Sequence, residues 1–204
     1  MPIPFLLASQ SPARLATLRS AGVEPRVIVS HVDENAALAA AAPQSPADAV
    51  LTLARAKAEE VVRHHAPDAL VLGCDSMLEF NGRIFGKPAT AETATERWRA
   101  MRGRTGVLHT GHWLIDARGG EQGPTKGATS STTVHFADLT DAEVDAYVAT
   151  GEPLQVAGAF TVDGLGGPYV ESIEGDYHGV VGVSLPLVRH LLGQLGVAFH
   201  DLRA

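Results

Sequence analysis

Ala69-Leu-Val-Leu-Gly-Cys74 is an unbroken apolar run six residues long, bounded by Asp68 and Asp75. A run of strand length with no polar face belongs at the centre of a sheet. The segments around it alternate between strand and helix patterns. Phe5-Leu-Leu-Ala8 reads as a short buried strand, and Ser11 then caps a helix with Pro12 at its first position, ending near Gly22. Arg26–Ser30 reads as a second strand, Ala36–Pro46 as a loop or short helix, and Ala47–His65 as a long helix. Met77–Phe85 folds back through Asn81-Gly82, a strong hairpin signal. Thr90 caps a helix that stops near Gly103, and Thr140-Asp-Ala-Glu143 is a capping box whose helix runs to about Thr150. Val107–Ile115, Thr132–Phe136, Gln155–Asp163 and Tyr169–Ile173 read as strands, and Ala117–Ser131 as an exposed excursion between two of them. Leu185–Leu195 is the last helix. Interleaved strands and helices with an antiparallel hairpin predict an α/β fold on a mixed sheet. At 204 residues, one domain over 1–204 is expected.

Composition excludes several classes. Sixteen basic against 23 acidic residues give a net charge of −7, so the chain is not expected to coat nucleic acid. A single anionic small molecule remains compatible where a few cations converge. One cysteine makes no internal disulfide and points to a reducing compartment. No stretch approaches the roughly 18 apolar residues of a membrane span, so no membrane partner is expected. The opening MPIPFLLASQSP has no basic n-region and does not read as a signal peptide.

Four places carry chemistry. In Ser9-Gln-Ser11-Pro-Ala-Arg14 a strand runs through a Ser-rich loop into a helix N-terminus, whose free N–H groups suit an anion. A cation in that first turn is either solvated or offset by an arriving anion. On the wheel of 47–65, Val50, Leu53, Ala54 and Val61 share one arc with Lys57 at its middle, while Arg55, Glu59 and Arg63 lie opposite. Lys57 either snorkels to the edge or reaches a negative partner. Asp75 directly follows the apolar strand, where it is either a turn-initiating residue or a base or metal ligand at a strand's carboxyl end. Lys87, between Gly86 and Pro88, returns a cation toward the same end. Asp33-Glu34 offers two adjacent carboxylates, a solvated loop or oxygen ligands for a hard divalent ion. Cys74 reads as core, and His109 and His112 lack metal-ligand spacing. No Gly-x-x-x-x-Gly-Lys-Ser/Thr loop is present, so a P-loop enzyme is excluded. Three cations, a helix N-terminus and two or three carboxylates together match a metal-bound polyphosphate.

In this order the motifs resemble the Maf family of nucleoside triphosphate pyrophosphatases, over about residues 5–196. They are Leu7-Ala-Ser-Gln-Ser-Pro-Ala-Arg14, Val32-Asp-Glu34, Leu53-Ala-Arg-Ala-Lys-Ala58, Gly73-Cys-Asp-Ser76, Gly82-Arg-Ile-Phe-Gly-Lys-Pro88 and His109-Thr-Gly111. Tyr147-Val-Ala-Thr-Gly-Glu-Pro153, Ala157-Gly-Ala-Phe160, Ile173-Glu-Gly-Asp176 and Val181-Gly182 follow. The resemblance implies hydrolysis of a nucleoside triphosphate, damaged or non-standard in cellular use, to the monophosphate and pyrophosphate. It implies a divalent cofactor, Mg²⁺ or Mn²⁺, a cytoplasmic location and often a homodimer. The implied fold is an elongated mixed sheet flanked by helices, with two lobes around a cleft, as in the inosine-triphosphate pyrophosphatases. Asp75 would accept the proton, Ser9, Arg14, Lys57 and Lys87 would hold phosphates, and Glu34 would join Asp75 on the metal. Ala13, Ser76 and Asp163 fall at positions associated with base choice and depart from the usual residues there. Gly179 and Gly182-Val-Ser-Leu-Pro186 are further departures from the family pattern, away from the catalytic positions. A rival reading is a nucleotide-binding regulator of cell division that uses the same residues without turnover, and another is a plain phosphatase. Intact Asp75 and Glu34 favour the pyrophosphatase.

Overall fold

The computed structural model describes residues 2–203. Its helices and strands, in chain order, are β1 (Phe5–Ala8), α1 (Pro12–Ser20), β2 (Arg26–Val27), α2 (Glu34–Ala41), α3 (Pro46–His65), β3 (Leu70–Phe80) and β4 (Arg83–Phe85). They continue with α4 (Ala91–Met101), β5 (Thr105–Asp116), β6 (Thr125–Phe136), α5 (Asp141–Ala149), β7 (Val170–Glu174), α6 (Tyr177–Val181) and α7 (Leu185–Gln194). The seven strands form one mixed sheet in the order β2-β1-β3-β5-β6-β7, with β4 also paired to β3. β1 is parallel to β2 and β3, whereas β3–β4 and β6–β7 are antiparallel.

Capping residues start the helices as the sequence predicts. Ser11 accepts from the Arg14 N–H and Thr90 from Thr93, and Thr140 and Glu143 complete a reciprocal capping box; Ser184, which is not among the expected caps, accepts from Leu187. Asp33 also caps: its Oδ1 accepts from the Ala36 N–H at 3.0 Å and opens α2, where the sequence reading left a loop or short helix.

By contacts the chain divides into two compact units. The first holds the described residues through Asp75, Thr110–Ser130 and the stretch from Gly182 onward. The second holds Ser76–His109 and Ser131–Val181. In the first, the central run of β3 is buried on both faces. Leu70, Leu72 and Cys74 pack into a cluster with Leu18, Val188 and Leu192, and Val71 packs oppositely with Leu6, Ala58 and Val61. α3 lies against strand backbone: a Cβ at Gly73 would collide with the Ala54 carbonyl oxygen, and one at Gly111 with the Val50 carbonyl. His112 ties α7 to β5. Its Nε2 accepts from the Ser184 N–H at 2.8 Å, so Nδ1 carries the proton and donates to the Thr110 carbonyl at 3.0 Å. In the second unit, Trp98 is fully buried, donates Nε1–H to the Ala159 carbonyl at 2.7 Å, and meets Phe136 and Tyr147 edge-on.

Several expectations need correction. The strand expected over Arg26–Ser30 is paired only at Arg26–Val27. β3 does not stop at Cys74 but runs through Asp75 and Ser76 to Phe80, so Asp75 lies inside a strand. The excursion expected over Ala117–Ser131 is shorter, because β6 begins at Thr125. No strand forms over Gln155–Asp163: the segment holds 3₁₀ turns at Glu152–Gln155 and Ala157–Ala159. Gly158 and Ala159 there take φ of +72° and +64°, which breaks an extended backbone.

Candidate active site

The chemistry-bearing residues of the first unit meet along β3. Asp75 lies two residues past Gly73, so by strand alternation it points to the face on which α3 rests. Lys57 lies three residues past Ala54, the residue in contact with Gly73, and thus on the same side of α3. Its Nζ donates to Asp75 Oδ1 at 2.5 Å and pairs with Glu34 Oε1 at 2.7 Å. The Lys57 side chain is only 14% exposed, against 12% for Asp75 and 51% for Glu34. The lysine on the apolar arc therefore reaches carboxylates and does not snorkel to solvent. Its neighbours Val50, Leu53, Ala54 and Val61 are all fully buried, while Arg55 and Glu59 pair at 2.7 Å on the far side.

Arg14 is turned inward from the first turn of α1. Its Nε donates to the Gly182 carbonyl at 2.7 Å, and its Nη1 donates to the Cys74 carbonyl and to Ser9 Oγ at 3.0 Å each. Ser9 is buried and also accepts from the Ser11 N–H at 3.2 Å. Sequence reasoning missed Gly182 and Cys74 as partners, because a backbone carbonyl leaves no side-chain signature. Burial raises the Asp75 pKa above the ordinary carboxylate range, against the charges of Lys57 and Arg14, and Glu34 adds to the rise. The adjacent Cys74 is fully buried, and burial pushes its thiol up to about 12, so it is core and not a nucleophile.

Of the paired carboxylates in Asp33-Glu34, only Glu34 joins this cluster, since Asp33 serves as the α2 cap. Ser9, Arg14, Glu34, Lys57 and Asp75 thus all belong to the first unit, as does Ala13. Lys87, Ser76 and Asp163 belong to the second. Lys87 is exposed just after β4. The Gly86 carbonyl before it accepts from Arg97 Nη1 at 2.7 Å, and the Arg97 guanidinium stacks 4.7 Å from the Phe85 ring. Arg97 is a backbone-holding residue that the sequence reading did not single out. Asp163 is exposed within a turn held by another acid. Glu152 accepts from Tyr147 Oη at 2.8 Å, Thr161 Oγ1 at 2.6 Å, and the Leu165 and Gly166 N–H groups at 2.9 and 3.0 Å. Burial works to raise the Glu152 pKa, but these donors outweigh it and hold the carboxyl below its usual range. In the same unit His109 bridges Glu79 Oε2 at 3.0 Å and Ser131 Oγ at 2.8 Å.

The Maf family, described as Maf-like protein, matches residues 4–195. This chain belongs to the Maf family. A nucleoside triphosphate pyrophosphatase of Leifsonia xyli is 55% identical over 203 residues, covering 96% of this chain and 94% of that one. The corresponding protein of Salinispora tropica is 54% identical over 206 residues, covering 99% and 88%. Among solved structures, the Staphylococcus aureus Ham1 protein aligns with a TM-score of 0.46 at 15% identity, covering 96% of this chain and 91% of that one. Among the described residues, no helix is long and apolar enough to cross a membrane.

Proposed function

We infer that this Maf-family chain hydrolyses nucleoside triphosphates to the nucleoside monophosphate and pyrophosphate. The observation that carries the reading is Asp75: a buried carboxylate on β3, held by the Lys57 ammonium and next to the pinned Arg14. The names of relatives more than 50% identical over nearly the whole chain support the same activity. In the reaction a water oxygen bonds to the α-phosphorus, the α–β bridging bond breaks, and pyrophosphate leaves with the bridging oxygen. Asp75, as the base, takes the water proton. Lys57 and Arg14 supply fixed positive charge for the phosphates, with the Ser9 hydroxyl beside Arg14.

The donor set fits a hard divalent ion in part. Glu34 and Asp75 are both oxygen donors and converge on one cation. Among the described residues, no group of three or more His, Cys, Asp or Glu side chains is gathered to hold a metal. These two carboxylates would hold Mg²⁺ or Mn²⁺ with phosphate oxygens completing the shell, and the bound ion would neutralise developing charge on pyrophosphate.

Glu152, not Asp163, ties the 161–166 turn, so the exposed Asp163 is not needed for that turn and stays a candidate for base choice. Damaged or modified nucleotides in the cytoplasm are the substrates this reading favours. The test is product analysis over a nucleotide panel that includes modified bases. Pyrophosphate and monophosphate in equal amounts are expected. Inorganic phosphate alone, or tight nucleotide binding without turnover, would overturn the assignment.

A further inference from the structure

Lys57 occupies the place that a divalent ion shared by Glu34 and Asp75 would need. Its Nζ sits 2.5 Å from one carboxylate oxygen and 2.7 Å from the other, so an ion bridging the same two oxygens must displace it. The displaced ammonium has nowhere neutral to go. Its stem runs along the buried arc of Val50, Leu53, Ala54 and Val61, and its side chain is only 14% exposed. A buried ammonium stripped of its carboxylates carries a large desolvation cost. Arg14 is held in the same cluster by the Cys74 and Gly182 carbonyls, so two carboxylates already face two cations. Adding a bare divalent ion would leave this balanced group with a net charge of about +2 in a mostly buried place. A triphosphate removes both difficulties, because it brings negative charge for Lys57 as the ion takes the carboxylates.

We propose that Lys57 is a built-in stand-in for the metal: it holds Glu34 and Asp75 together until a metal–nucleotide complex arrives, then passes to the phosphates. The Glu34–Asp75 pair therefore keeps no resident ion before the nucleotide arrives. This deepens the hydrolase reading and rests on it for the identity of the anion. Two carboxylates with no third His, Cys, Asp or Glu partner among the described residues agree with it, since the remaining ligands then come with the nucleotide.

The test is calorimetric titration of the full chain with Mn²⁺ alone. Lys57→Met and Lys57→Gln should bind free Mn²⁺ about tenfold or more tighter than wild type, within the usual range of coupling between linked sites. Lys57→Arg, which keeps the cation, should bind as weakly as wild type. Equal Mn²⁺ affinity in wild type and the neutral variants overturns the proposal. Should neither neutral variant fold, wild type decides. A non-hydrolysable α,β-methylene triphosphate should then bind at least tenfold tighter with Mn²⁺ than without it, and free Mn²⁺ should bind only weakly. Tight, nucleotide-independent Mn²⁺ binding by wild type refutes the stand-in. Pyrophosphate release by the same preparation separates the two ideas: turnover with unshifted metal affinity removes the role of Lys57 and keeps the hydrolase, and the reverse result keeps the exchange and removes the hydrolase.

Discussion

The role proposed for Asp75 combines two demands that pull in opposite directions. A base must be ionised to take a proton, yet burial favours its neutral form. Asp75→Asn should keep the fold, since the substitution is nearly isosteric, and lower kcat by about 10²–10⁴. A loss of only a few-fold would remove Asp75 from the role of base. The same variant carries a stability signature. The folded-state pKa lies above the unfolded one, so the contribution of Asp75 to stability is full below the unfolded value and is lost as pH rises through the folded value. Asn does not titrate. The difference in Tm between variant and wild type should therefore move in the variant's favour from about pH 4 upward, and thermal melts across that range check it. At the surface, the exposed Asp163 can only accept when ionised, whereas Gln both donates and accepts. Asp163→Gln should shift the ratio of kcat/KM away from a 7-methylguanosine triphosphate and toward uridine triphosphate; an unmoved ratio excludes Asp163 from base choice. At this scale the sequence was informative where a residue broke its pattern. Lys57 on an apolar arc is the clearest case. It was silent on Arg14's partners, which are carbonyls.

At the level of elements, the cluster depends on how closely α3 approaches β3. Gly73 makes that approach possible, with the Ala54 carbonyl where a side chain would start. Gly73→Ala should push the helix outward, separate Lys57 from Asp75, and cost about 1–3 kcal/mol as an overpacked contact. Reduced kcat together with a Tm lowered by several degrees is the expected result; wild-type values for both would show that α3 does not set the geometry. Helix starts were legible because caps are local chemistry: Ser11, Thr90 and Thr140 each accept from the predicted turn. Strand ends were not. The polar pair Asp75-Ser76 interrupts the apolar run and reads as a stop, although β3 continues for four more residues to Phe80. A buried carboxylate inside a strand is where pattern and structure are expected to part. Val156-Ala-Gly-Ala-Phe160 misleads in the opposite sense. Its composition is that of a strand, but positive φ at Gly158 and Ala159 turns it into 3₁₀ structure.

For the whole molecule, the α/β class followed from alternation and the mixed sheet from the Asn81-Gly82 hairpin, while the division into two compact units had no such signal, because β3, β5 and β6 each contribute residues to both. A contact partition has no counterpart in the periodicity of a continuous strand. The core of the second unit is organised by Trp98, which couples an aromatic cluster to the Ala159 carbonyl. Trp98→Ala should cost about 3–5 kcal/mol, read as a lower midpoint in urea at unchanged slope. A midpoint near that of wild type would show that the cluster closes over the gap. In the first unit, α3 meets β3 and β5 backbone-to-backbone at Gly73 and Gly111. Compression acts on proteins chiefly by eliminating internal voids. A contact with no side chain between helix and strand has almost no void to surrender. Hydrostatic pressure should therefore collapse looser parts of the molecule before it changes the spacing between Lys57 and Asp75, leaving that buried pair among the least compressible places in the protein.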